Sequence, residues 1–215
     1  MEFFSYIITA IAAYLLGSIP TGYLVAKAKG IDIRSVGSGN IGATNVFRIL
    51  GKGAGTLVLL TDALKGFLAC TLVVFLVRKY IWADAGFSGK EVLAVVAGVA
   101  AILGHNYTCW LKFKGGKGIA TTAGVLVALV PWALLIVLGI WIFVFVTSRY
   151  VSLASIAAAF CLPFVVWLLH SSQLMSFITA ILALLAIYKH KANIQRLLNR
   201  TENRVGQKKR PEVAK

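Results

Sequence analysis

The sequence predicts an all-α integral membrane protein of seven transmembrane helices, with its N-terminus outside and its C-terminus cytoplasmic. Three observations predict it. The 215 residues are 59% hydrophobic and only 13% charged, with a mean hydropathy of +0.85, against roughly half apolar and about a quarter charged in soluble domains. The apolar residues fall in long runs of the length needed to cross hydrocarbon, about 20 residues each. Finally, 22 Lys and Arg against 7 Asp and Glu give a net charge of +15, and the basic residues gather between the runs, where cytoplasmic loops collect positive charge.

The first run, residues 3–26, has no basic flank before it and continues into Lys27 and Lys29 instead of a small-residue cleavage site. It reads as a span and not as a removable signal. Further runs cover 54–77, 91–111, 119–147, 151–169 and 172–188. Basic segments lie at Lys27–Lys52, Lys112–Lys117 and Lys189–Lys215, whereas the linker from Arg78 to Lys90 is balanced by Asp84 and Glu91. If the three basic segments share one side, the number of spans must be odd. The run 119–147 is long for one span, and Pro131 near its middle lacks an N–H and clashes with the preceding turn. Breaking it there gives seven spans. Five also satisfy parity if part of 119–188 is re-entrant. The whole chain, 1–215, reads as one transmembrane domain with a polar cytoplasmic tail from about residue 200. Cys70, Cys109 and Cys161 lie in or beside apolar runs without metal-ligand spacing, and read as small hydrophobes.

Chemistry is concentrated in the polar segments. The first holds Gly37-Ser38-Gly39-Asn40-Ile41-Gly42-Ala43-Thr44-Asn45-Val46-Phe47-Arg48, followed by Gly51-Lys52-Gly53. Glycines let backbone N–H groups converge on an anion, and Arg48 can add a bidentate contact. The spacing fits neither a Walker loop nor a dinucleotide fingerprint on a βαβ unit. A flexible turn between helices would use the same residues.

The second segment is Gly104-His105-Asn106-Tyr107, then Lys112-Phe113-Lys114-Gly115-Gly116-Lys117-Gly118, leading into an apolar span. A lysine among glycines before a helix N-terminus suits a phosphate. Plain anchoring by cytoplasmic lysines is the competing reading, and His105 by itself fits a satisfied interfacial histidine. The third runs from His190 to Asn203. Its His190 and Asn193, three residues apart, share a helical face, although an amphipathic cap on anionic lipid has the same pattern. Within the second span, Asp62 and Lys65 place opposite charges three residues apart in an apolar run. Such groups are expensive in a membrane and are usually paired, so a structural ion pair is expected.

These stretches, GSGNIGATNVFR, TDALKG, GHNYTCWLKFKGGKGIAT and HKANIQRL, resemble the bacterial membrane-integral acyl-phosphate:glycerol-3-phosphate acyltransferases, from the first span to the tail. The resemblance implies transfer of a fatty acyl group from acyl phosphate to the 1-hydroxyl of glycerol 3-phosphate, as the first step of phospholipid biosynthesis. The products would be 1-acyl-glycerol 3-phosphate (lysophosphatidate) and orthophosphate. It further implies a multi-pass protein of the bacterial inner membrane with a cytoplasm-facing active site, contacting membrane lipid, without a cofactor, a catalytic metal or an obligate protein partner. By the same resemblance Ser38, Arg48, Lys117, His190 and Asn193 are active-site residues. The backbone and side chains of Gly37, Gly39, Asn40, Gly42, Thr44 and Asn45, with Gly115, Gly116 and Gly118, would bind phosphate. Two positions depart from the family pattern: Thr108 where many members have proline, and Arg200 where many have glycine.

The H-x-x-x-x-D signature of thioester-dependent acyltransferases is missing, because the fifth residue after His105, His170 and His190 is Trp110, Met175 and Gln195. Nucleic-acid binding is disfavoured, because the basic loops abut apolar spans without interleaved exposed aromatics. An anion carrier should show polar groups near the midplane reachable from both sides. A lipid-binding scaffold would have no use for the glycine loops.

Overall fold

The structure, a computed structural model, describes residues 2–82, 87–170 and 173–206. It is helical throughout, without a strand among the described residues, and falls into two units that divide between Leu134 and Leu135. Asp84 and the tail residues 207–215 lie outside the described residues.

The first unit opens with α1 (Glu2–Ser18) and α2 (Thr21–Lys27), separated at Pro20, whose missing N–H ends one helix and starts the next. Next comes α3 (Ala43–Leu68), which runs through a π-helical turn at Ala69–Val73 into α4 (Val74–Tyr80). Apolar patterning places this span at 54–77, yet the helix begins at Ala43. Its first turns mix the polar Thr44, Asn45 and Arg48 with the apolar Val46, Phe47, Ile49 and Leu50, in a stretch too short and too close to glycines to read as a span. At Gly51, φ 85° and ψ −178° interrupt the helix, a conformation open essentially to glycine alone. Beyond the kink Gly55 lacks a Cβ that would collide with the Phe47 ring, so the short first segment lies against the long one.

The helix α5 (Phe87–Asn106) packs on α1 through Gly17 and Gly104, where a Cβ on either would strike the backbone of the facing helix. In the same way Gly66 of α3 and Gly124 of α6 (Ile119–Leu129) bring those two helices into backbone contact. Close approach through small residues is the usual way membrane helices gain packing energy, because lipid supplies no hydrophobic drive between them. Thr108, proline-like at φ −63°, donates its hydroxyl to the Ser18 carbonyl at 2.6 Å. Thr108 thus holds the backbone angle a proline would impose and adds a tether.

As Pro131 predicts, the run 119–147 breaks, with α6 ending at Leu129 and α7 spanning Pro131–Ser148. The second unit comprises most of α7, then α8 (Val151–His170), α9 (Gln173–Lys189) and α10 (Lys191–Leu198). Trp141 on α7 donates to Ser155 on α8 at 3.1 Å. Many large apolar side chains remain exposed, among them Trp132, Phe143, Phe160 and Leu184, as on a surface that meets lipid. Among the described residues, five helical stretches are long and apolar enough to cross a membrane, and a sixth is counted if α9 and α10, bent by 57°, form one span. The 11-residue α6 falls short of that length, so length and composition give five or six spans where the sequence led us to expect seven. Residues 200–206, expected as the start of a loose tail, instead pack back on the unit: Val205 donates to the Arg149 carbonyl at 3.0 Å, and Glu202 is buried.

Candidate active site

The glycine motif before α3 is braced by one amide side chain. Asn45 is 1% exposed. Its Oδ1 accepts from the Ser38 N–H at 2.9 Å, and its Nδ2 donates to the carbonyls of Ile33 and Val36 at 3.2 and 3.1 Å. Gly37 turns over this side chain at φ 63° and has no room for a Cβ. Asn40 accepts from the Gly42 N–H at 2.8 Å, and the Gly39 N–H donates to Val36 at 3.0 Å. Asn45 and Asn40, expected to address an anion, thus spend these groups on the loop itself, as do the amides of Ser38, Gly39 and Gly42. The half-buried hydroxyl-bearing Ser38 and Thr44, the exposed Gly37 and Gly39, and the exposed Arg48 form the outward part of the motif. Arg34, next to the motif, is committed to Asp32 at 2.7 Å, and its hydrogen bonds draw the Asp32 carboxyl down to about 2.

The second glycine segment is strapped to the end of α5. The N–H groups of Gly115 and Gly116 donate to the carbonyls of Asn106 and His105 at 3.2 and 2.9 Å. This occupies helix-end carbonyls that have no partner within α5, so these two amides, expected to hold phosphate, face inward. Gly118, at φ 81°, turns the chain directly into α6, which leaves the first-turn amides of α6 just after the half-buried Lys117.

Under this strap lies a charged cluster. Lys65 Nζ is 2.7 Å from Asp62 Oδ1 and donates to the Ile19 carbonyl at 2.9 Å, so the expected ion pair is present. His105 Nδ1 is 3.6 Å from the same Asp62 oxygen. That spacing is too long for a hydrogen bond but sets the ring directly against the carboxylate.

In the second unit His190 caps the start of α10, and its Nδ1 lies 2.7 Å from the Ala186 carbonyl. A carbonyl only accepts, so Nδ1 carries the proton, and Nε2 is an acceptor when the ring is neutral. Asn193 follows one turn later, its N–H bonded to the His190 carbonyl at 2.8 Å. Its Nδ2 donates to Glu202 Oε1 at 2.8 Å. Ser152 donates to the same oxygen at 2.9 Å, and Arg196 Nε to Oε2 at 2.6 Å. Burial pushes the Glu202 carboxyl up, but these donors outweigh it and hold the group below its ordinary value. The reading of the segment from His190 to Asn203 assigned no role to Glu202. The available signal was a lone acid among Arg196, Arg200 and Arg204. Arg200 itself stands at φ 57°, in the left-handed region that favours glycine.

Comparison with known proteins places this geometry. A glycerol-3-phosphate acyltransferase family profile matches residues 7–200. The glycerol-3-phosphate acyltransferase of Geotalea daltonii is 48% identical over 199 residues, covering 93% of this chain and 97% of that protein. The enzyme of the same name from Clostridioides difficile is 46% identical over 211 residues, covering 97% and 100%. A crystal structure of PlsY (YgiH), an integral membrane glycerol 3-phosphate acyltransferase, in its glycerol 3-phosphate form superposes with a TM-score of 0.82 at 41% identity, covering 94% of this chain and 96% of that one. Its lysophosphatidic acid form gives 0.79 at 40% identity, over the same shares of the two chains. With all-helical architecture, glycine segments and full-length likeness in agreement, this multi-pass membrane protein is an acyltransferase and belongs to the glycerol-3-phosphate acyltransferase family.

Proposed function

We propose that the protein transfers an acyl group from acyl phosphate to the 1-hydroxyl of glycerol 3-phosphate, forming 1-acyl-glycerol 3-phosphate and releasing orthophosphate. The observation that carries the donor is how the one close His–Asp contact in the described first unit is used. His105 meets Asp62 only in a buried cluster, with its Nε2 against Gly116, where a substrate hydroxyl has no access. A site without such a base suits a donor that is already activated. In a mixed anhydride the leaving group is phosphate, and alignment with charge stabilisation supplies most of the rate.

In this reading Ser38, Arg48, Lys117 and the first-turn amides of α3 and α6 hold the acyl phosphate and the oxyanion that develops on its carbonyl. The substrate hydroxyl oxygen bonds to the carbonyl carbon, and the bond from that carbon to the phosphate oxygen breaks. The hydroxyl proton passes to a phosphate oxygen, so orthophosphate leaves with the charge balanced. His190, with Nε2 as acceptor, and Asn193 contact glycerol 3-phosphate. Ser38 acts by hydrogen bonding, and a trapped acyl-Ser38 adduct would contradict this role. The positive-inside pattern supports an odd number of membrane-embedded helices with the N-terminus outside, which is seven when the short α6 is counted and five when part of 119–188 is re-entrant. The same pattern supports a cytoplasm-facing site in the bacterial inner membrane, on a chain that acts as one catalytic domain.

Arg48→Ala and Lys117→Ala test the reading. Each should lower turnover by about 100-fold, in the range for loss of a charge-stabilising donor, while membrane insertion and melting temperature stay at wild-type values. Unchanged turnover in both would overturn the assignment.

A further inference from the structure

We propose that Asp62 and His105 are positioning residues for the glycine strap 115–118: Asp62 fixes the His105 ring, and the ring is the floor on which Gly116, and through it Lys117, is set. This inference rests on the reading of Lys117 and the first-turn amides of α6 as phosphate-binding.

The geometry has three parts. The strap reaches α5 through two backbone bonds, to the carbonyls of His105 and Asn106, so its height over the helix end is fixed by main chain. Its lateral position is fixed by a side chain, because a Cβ at Gly116 would coincide with the His105 ring at Nε2. Only glycine lets the strap close down on the imidazole. The ring's other nitrogen faces Asp62 at 3.6 Å, and Asp62 is held by Lys65, which ties in turn to the Ile19 carbonyl at the break before Pro20. Asp62, Lys65 and His105 are all buried. In such surroundings a charge pair is costly to assemble, but once assembled it has few alternative arrangements. A chain of contacts therefore runs from the α1–α2 break through α3 and the end of α5 to the residue before Lys117. His105 and Asp62 touch the strap and not the reacting atoms, and the covered ring has no role as a proton acceptor for substrate.

The test uses the full chain in detergent micelles, assayed with acyl phosphate and glycerol 3-phosphate. Gly116→Ala drives a methyl into the ring and should lower kcat/KM by on the order of 100-fold, the effect of a displacement of about 1 Å near a reacting group. Removing the ring should relieve the clash: His105→Ala combined with Gly116→Ala should recover at least about tenfold over Gly116→Ala alone, a coupling of the kind contacting residues show. Losses that simply multiply would overturn the proposal while leaving the phosphate-loop reading intact. If Gly116→Ala and Lys117→Ala both leave turnover unchanged, that reading fails and the proposal with it. Asp62→Asn should raise the KM for acyl phosphate more than it lowers kcat. If that variant does not fold, Asp62→Leu with Lys65→Met removes both charges together and should fold, again with a raised KM. An unaltered KM in the folded variant would overturn the part assigned to Asp62, since a purely structural role shifts melting temperature and yield alone.

Discussion

Glu202 has a side chain 2% exposed, and Ser152, Asn193 and Arg196 all donate to it. Replacing it with Gln keeps an acceptor but removes the charge, at a cost of about 2 kcal/mol for hydrogen bonds made to an ionised group. The folded carboxyl titrates below its ordinary 4.5. Its contribution is therefore complete at neutral pH, begins to fade as pH falls past the unfolded value, and is gone below the folded one. The wild-type melting temperature should fall on acidification through that window. Glu202→Gln should melt lower at pH 7 and lose this part of the pH dependence. An identical pH profile in the two proteins would contradict the role. Turnover should fall in parallel, because the acceptor that holds Asn193 loses its charge in the variant.

At the scale of elements, the kink in α3 sets where Arg48 stands. Gly51 adopts φ 85° and ψ −178° with open space around its Cα, so a methyl there meets no neighbour and acts only through the backbone. Gly51→Ala should therefore cost about 1–3 kcal/mol in strain and reorient the segment Ala43–Leu50. A lowered melting temperature together with reduced turnover is expected. Turnover at the wild-type level would show that Arg48 does not depend on the kink.

This element also marks where sequence legibility ended. Periodicity found the apolar stretch after Gly53 but not the helix from Ala43 to Leu50, because eight residues between Gly42 and Gly51 are too short to show a period and their helix is stabilised by tertiary packing. Pro131 announced the break before α7, and Asp62 with Lys65 announced a buried pair, since both signals are local in the chain. The approach of His105 to Asp62 was not legible, for it joins two helices far apart in sequence. Nor was the use of Asn45 as a brace, since an exposed ligand and a buried brace look alike in sequence. Glu202 was hidden by its neighbours, whose arginines made the segment read as a solvated tail.

For the whole molecule, lipid-facing apolar surface, glycine-mediated helix contacts and polar segments at helix ends describe a multi-pass membrane acyltransferase. The central claim is that this enzyme needs no strong protein base because its donor is an activated phosphate. The most direct measurement is to incubate the purified protein with glycerol 3-phosphate and, in separate reactions, acyl phosphate, acyl-CoA and acyl carrier protein, following lysophosphatidate and orthophosphate together. We expect lysophosphatidate from acyl phosphate alone, with one orthophosphate released per product formed. Product formation confined to a thioester donor would contradict the account.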